Sequence, residues 1–135
     1  MKRLQDKVCL VTGGANGLGN AIARRMTEEG ASVLLLDKDP KGEKAAMDIG
    51  ADIEAGASNR VSFIKCDVSK ELDVRDAIDT AAEHFGKLDV LVNNAGFEGA
   101  NKMSDDYSLS EWERVFAVNS TGVFTFFRLG LPRYA

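Results

Sequence analysis

Thr12-Gly13-Gly14-Ala15-Asn16-Gly17-Leu18-Gly19 lies between two segments of opposite periodicity. Val8-Cys9-Leu10-Val11 ahead of it is a continuous apolar run of strand length, and Ala21, Ile22 and Met26 behind it set a helical pattern. Strand, glycine turn and helix N-terminus in that order form a cradle for a pyrophosphate. Glycines let the backbone approach the phosphates, and the free N–H groups and dipole of the helix meet their charge. A second apolar run, Val33-Leu34-Leu35-Leu36, closes at Asp37, 20 residues after Gly17. A carboxylate in that place can accept hydrogen bonds from an adenosine ribose. Many loops are rich in glycine for steric reasons alone; the register of strand, turn, helix, strand and acid is what carries the reading.

Further apolar runs follow at 61–64 (Val61-Ser62-Phe63-Ile64) and 90–92 (Val90-Leu91-Val92). All four are near-continuous rather than alternating, which suits strands buried on both faces of a parallel sheet. Helical patterns fall between them. The clearest, Val74, Ala77, Ile78, Ala81, Ala82 and Phe85, follows Ser69 with Glu71 and Asp73 in its first turn and stops at Gly86. Asp39-Pro40 is expected to open another helix that Gly50 closes, and 51–60, rich in Gly, Ala, Ser and Asn, reads as a surface loop. This alternation predicts an α/β fold: a doubly wound parallel sheet of Rossmann type, incomplete, about four strands in the order 3-2-1-4 with flanking helices. A last helical pattern spans about 109–131, with Trp112, Phe116, Val123, Phe127 and Leu131 near one stripe and Val115, Val118, Phe124 and Phe126 widening it. A helix apolar over most of its girth is expected to be buried on more than one side.

The chain has 135 residues, 44% of them hydrophobic, and a net charge of −4, so one domain with a sizeable core is expected. That charge gives no general attraction for nucleic acid or an anionic membrane, and phosphate binding has to be local. No apolar stretch approaches the ~20 residues of a membrane span. Met1 to Lys7 has charges but no apolar core before the first strand, unlike a secretion signal, and a cytoplasmic location is expected. Cys9 and Cys66 fall in or at the end of strands separated by a third, roughly 9–10 Å apart, too far for a disulfide. No Cys/His cluster has metal-ligand spacing, and no metal is expected. His84, the sole histidine, sits at a helix C-terminus where a cation suits the dipole.

Four strings together make the chain resemble the short-chain dehydrogenase/reductase family over essentially its whole length. They are Thr12-Gly13-x-x-x-Gly17-x-Gly19, Asp67-Val68 after the third strand, Asn93-Asn94-Ala95-Gly96 after the fourth, and Val118-Asn119-Ser120-Thr121-Gly122 in the last helix. The resemblance implies that Gly13, Asn16, Gly17, Leu18, Gly19, Asp37, Asp67, Val68, Asn94, Ala95 and Gly96 bind the cofactor. It also implies that Asn119 is the helical asparagine of the family's catalytic tetrad. By the same resemblance the chemistry is hydride transfer between a nicotinamide and an alcohol or ketone carbon, with pairing of subunits through the last helix. NAD is the expected cofactor. Asp37 would face a 2′-phosphate, like charges a few ångströms apart near a surface cost on the order of 4 kcal/mol before screening, and the position before Gly17 is Asn16, not the Arg or Lys that often marks NADP users in the family. Lys38 beside it is read as a solvated lysine rather than as a base that softens the repulsion.

The family's tyrosine, the lysine four residues on, and the serine after a fifth strand do not map here. The tyrosines are Tyr107 and Tyr134, and Glu111 stands four after Tyr107. Residues 1–135 are therefore expected to be a single dinucleotide-binding domain, truncated before the catalytic Tyr/Lys segment. The alternative is a non-catalytic NAD-binding or subunit-interaction module.

Overall fold

Strands and helices alternate in a computed structural model that describes residues 2–54, 56–97, 99 and 101–130. The strands are β1 (Val8–Thr12), β2 (Ser32–Asp37), β3 (Val61–Lys65) and β4 (Val90–Val92), hydrogen-bonded in the order β3-β2-β1-β4. Every pairing is parallel, with Leu10 opposite Leu34 on one side and Leu91 on the other. Helices α1 (Gly17–Glu28), α2 (Gly42–Ile53) and α3 (Glu71–Phe85) are the crossovers. The four-stranded α/β sheet expected from the sequence is therefore the one observed, in the 3-2-1-4 order.

Parallel strands need cover on both faces, and the period of two along each strand divides the core accordingly. Leu10, Leu34 and Leu36 point to one side, where Val74, Ala77, Ile78 and Ala81 of α3 and Phe126 of the last helix meet them. Cys9, Val11, Val33 and Leu35 point to the other, against Ala23 of α1 and Ala46 and Ile49 of α2. Cys9 and Cys66 are both buried free thiols. Burial, and then the charges of nearby aspartates, push Cys66 up to about 12 and Cys9 up to about 11.

Three expectations are corrected. Gly50 does not end α2, which runs on to Ile53. The glycine is there for closeness: a Cβ on it would sit 2.7 Å from Ser58 Cα. The segment after α2 is not a plain surface loop. Ala57 is fully buried, and the Arg60 guanidinium donates to the carbonyls of Ala31 at 2.6 Å and Thr27 at 3.1 Å and pairs with Glu54 at 2.9 Å. Side-chain hydrogen bonds to backbone carbonyls, not apolar periodicity, hold this stretch, so the hydrophobic pattern is silent about it.

The third correction concerns the last helix. It is not one uniform α-helix: α4 (Leu109–Phe116) passes through a π turn (Ala117–Thr121) into α5 (Gly122–Gly130). A π turn takes in one extra residue and shifts the phase of everything after it by ~100°. In a regular helix Val123 would follow Phe116 on the stripe; here Phe124 takes that place. Leu109, Trp112, Phe116, Phe124 and Phe127 share an exposed side, while Phe126 is 1% exposed and packed in the core. The helix is thus buried on one side only. Leu131 lies outside the described residues. Among those described, no helix is long and apolar enough to cross a membrane.

Candidate functional site

The C-terminal ends of β1, β2 and β4 and the segment after β3 surround a cavity of about 480 Å³, within the range of small-molecule sites. Its lining contains Gly13, Asn16, Gly17, Leu18, Asp37, Asp67, Val68, Asn94, Ala95 and Gly96. Those are ten of the eleven residues that the family resemblance assigns to the cofactor. A doubly wound sheet opens its crevice at the reversal of strand order, here between β1 and β4, which explains why these distant positions converge.

The eleventh, Gly19, is not among the lining residues and has a packing role. A Cβ on it would lie 2.2 Å from the Gly13 carbonyl oxygen and 2.5 Å from Asn94 Nδ2. Gly17 differs: nothing would obstruct a Cβ there, but its φ of +57° lies in the left-handed region that favours glycine. Asn16, the N-cap, makes no side-chain capping bond, and the first turn of α1 holds no acidic residue. The first-turn N–H groups of a helix have no intrahelical acceptors, so this end suits an anion.

The glycine loop is held from both flanks. On the β4 side Asn94 Nδ2 donates to the Thr12 and Gly13 carbonyls at 3.1 and 3.3 Å. Thr12 Oγ1 accepts the Asn94 and Ala95 N–H groups, each at 2.9 Å. On the β2 side Gly14 N–H donates to the Leu36 carbonyl at 3.1 Å. Asp37 Oδ2 accepts the Ala15 N–H at 3.0 Å, and its Oδ1 accepts the Asp39 N–H at 3.0 Å.

At the β3 side of the cavity, burial alone would raise the Asp67 carboxyl, but the Ser69 hydroxyl and N–H, at 2.6 and 3.0 Å, and the Lys70 and Lys38 ammonium groups hold it below the usual range. The Asp67 N–H in turn donates to Asp73 Oδ2 at 2.9 Å. Asn119 lies in the π turn. Its carboxamide makes two bonds with one residue, accepting the Phe97 N–H and donating to the Phe97 carbonyl, both at 2.8 Å. Phe97 lines the cavity, and the Arg114 guanidinium stacks over its ring at 5.2 Å.

Several of these roles escape a reading of the sequence. Thr12 has a visible signal, a lone hydroxyl at the end of an otherwise apolar strand. Leu36, Lys38, Asp39, Cys66, Phe97 and Val118 also line the cavity; all but Asp39 are immediate neighbours of assigned residues, and Phe97 opens a loop that the sequence offers as one wall of the site.

The sequence model of the short chain dehydrogenase family matches residues 7–135. This chain belongs to that family. Proteins similar to it include glucose 1-dehydrogenase 2 of Bacillus subtilis (strain 168). It is 43% identical over 124 residues, which cover 91% of this chain and 46% of that protein. Among solved structures, NAD+-bound xylitol dehydrogenase superposes with a TM-score of 0.88 at 34% identity, covering 98% of this chain and 49% of its own. The RhlG/NADP active-site complex of Pseudomonas aeruginosa superposes with a TM-score of 0.84 at 32% identity, over 96% of this chain and 48% of that one. The chain spans about half the length of the curated relatives it matches.

Proposed function

We propose that this chain is the cofactor-binding half of an NAD-dependent oxidoreductase that moves a hydride between a nicotinamide and an alcohol or ketone carbon. The observation that supports it most is the cavity at the β1/β4 reversal, with the glycine turn and a helix N-terminus suited to an anion on one wall and Asp37 on the next. The residues fit a dinucleotide. The positive-φ turn brings backbone close to a pyrophosphate, and a Cβ at Gly19 would push into the loop carbonyl that shapes it. The bound nicotinamide supplies or accepts the hydride.

In this reading Gly13, Asn16, Gly17 and Leu18 hold the phosphates, Asp37 takes the ribose hydroxyls, and Asp67 and Val68 flank the adenine. Asn94, Ala95 and Gly96 shape the wall towards the nicotinamide. Asn119 acts through Phe97, fixing the backbone of the residue that lines the reacting end; as a member of the catalytic tetrad it needs Ser, Tyr and Lys partners that residues 1–130 do not supply at the family's spacing. NAD is favoured over NADP because Asp37 and Asp39 both line the adenosine end and Lys38 is the one cation among the described lining residues. The relatives alone do not decide this, since one neighbour is bound to NAD+ and another is an NADP complex. The exposed stripe of Trp112, Phe116, Phe124 and Phe127 fits pairing with a second subunit.

Calorimetric titration of NAD and NADP into the folded 135-residue chain tests the reading. Saturable NAD binding, with NADP weaker by about tenfold or more from the added charge repulsion, is expected. Equal affinities would remove the NAD preference. No binding by a chain shown to be folded would remove the dinucleotide reading for this polypeptide.

A further inference from the structure

The second role of Asp37 lies in its hydrogen bonds. Each carboxylate oxygen already accepts one backbone N–H: Oδ2 from Ala15 inside the glycine loop, and Oδ1 from Asp39 just beyond β2. A carboxylate offers about four acceptor positions, so two remain for a ligand while the backbone bonds persist. Ala15 is buried and outside the cavity lining, whereas Asp37 is half-buried and inside it. The same side chain therefore faces the cavity on one side and grips the loop on the other. The loop's other tie to β2, Gly14 N–H to the Leu36 carbonyl, is backbone to backbone and survives any side-chain change.

We infer that Asp37 is a positioning residue for the glycine loop as well as a ribose acceptor, so that the phosphate cradle and the choice of adenosine ribose are set by one carboxylate. This rests on the dinucleotide reading given above. It has a chemical consequence: a neutral or truncated side chain here cannot reproduce both tasks. An asparagine keeps one acceptor oxygen but turns an N–H₂ donor towards one of two N–H donors. An alanine leaves both amides without this partner, and a change made to admit a 2′-phosphate would loosen the loop that holds the pyrophosphate.

Two measurements separate the positioning role from ribose recognition. The first is a ligand-and-mutant cycle. NAD and its analogue lacking the adenosine 2′- and 3′-hydroxyls are titrated into the wild-type chain and into Asp37→Ala and Asp37→Asn. If Asp37 acted on the ribose alone, the analogue would bind all three proteins alike. A loss of about tenfold for the analogue in Asp37→Ala is expected, the size of one charge-assisted backbone bond.

The second uses no ligand. Amide exchange at Ala15, followed by NMR, is expected to speed up about tenfold or more in Asp37→Ala, on the same bond strength. An unchanged Ala15 rate overturns the inference, and so does analogue binding that is equal in wild type and Asp37→Ala. Should Asp37→Ala not fold, Asp37→Val, which likewise has no acceptor and suits the end of a strand, replaces it in both measurements, and the same two outcomes overturn the inference. Failure of wild-type NAD binding would overturn the dinucleotide reading instead, and Ala15 exchange would still decide the loop contact.

Discussion

The glycine-loop end of the sheet and the last helix treat their side chains in opposite ways. Around the loop the polar groups are turned inwards and matched: Asn94, Thr12 and Asp37 each hold named backbone groups, leaving a hollow whose walls are fixed. Along α4 and α5 the apolar groups are divided, with Phe126 in the core and Phe124 at 62% exposure two residues away. The first region uses hydrogen bonds to stay rigid around a cavity. The second uses packing on one side and leaves a row of large apolar groups exposed on the other. In the function proposed above, that row is where a second subunit would pair.

The largest effect that can break this contrast is expected within α5 itself. Phe126→Ala removes a buried ring from the cluster that includes Leu10, Leu36 and Ile78 and should cost roughly 3–5 kcal/mol. Phe124→Ala, on the outer side, should stay within about 0.5 kcal/mol in the monomer. Urea denaturation of both variants measures the difference. Comparable losses would mean that the π turn does not set the phase described here, and that the outer row is packed after all.

Next in size is Gly19→Ala, which strikes the loop region from a position outside the cavity lining. Its methyl group would meet the Gly13 carbonyl at 2.2 Å, and that atom belongs to backbone that cannot rotate away. Overpacking of this kind costs about 1–3 kcal/mol, and the displaced carbonyl lies in the cradle, so NAD affinity should fall together with the denaturation midpoint. Calorimetry and urea unfolding on the same sample test the coupling. A loss of stability with NAD affinity intact would show that the loop tolerates movement at Gly13.

How far these regions are legible in the sequence follows from the same physics. The four strands are plain because each writes a near-continuous apolar run, fully buried in β1 and at Val33 to Leu36 of β2 and half-buried in β4, and their order follows from right-handed crossovers in a doubly wound sheet. The cavity residues are legible because they sit at strand ends and in short strings with fixed spacing. Asp37's grip on Ala15 is not, since the sequence gives no sign of which backbone N–H a carboxylate will accept. Apolar periodicity misphases the exposed row because it assumes 3.6 residues per turn, and nothing in Ala117 to Thr121 announces the extra residue. Gly50 misleads for a related reason: it reads as a helix stop, whereas the close approach of Ser58 makes it a packing position inside the helix.

The smallest expected effect lies at the start of α4, where the outer row begins. Ser108 Oγ accepts the Glu111 N–H at 3.1 Å, and Glu111 Oε2 accepts the Ser108 N–H at 3.1 Å, a reciprocal capping box. Lys102 Nζ donates to Glu111 Oε1 at 2.8 Å. The Lys102 ammonium and then the Ser108 N–H hold the Glu111 carboxyl down at about 2, against 4.5 for an unperturbed glutamate. Because the folded value is the lower one, the stabilisation is present above about pH 4.5 and is lost as the pH falls through about 2. An NMR titration of the Glu111 side chain should therefore show a midpoint near 2, and Lys102→Ala should move it upwards because the first of the two causes is gone. A wild-type midpoint near 4.5 would mean that the box is open in solution. The start of the helix that carries the exposed row would then lose its Lys102 tie, leaving the Asn119 bonds to Phe97 and the packing of Phe126 to fix the rest to the domain.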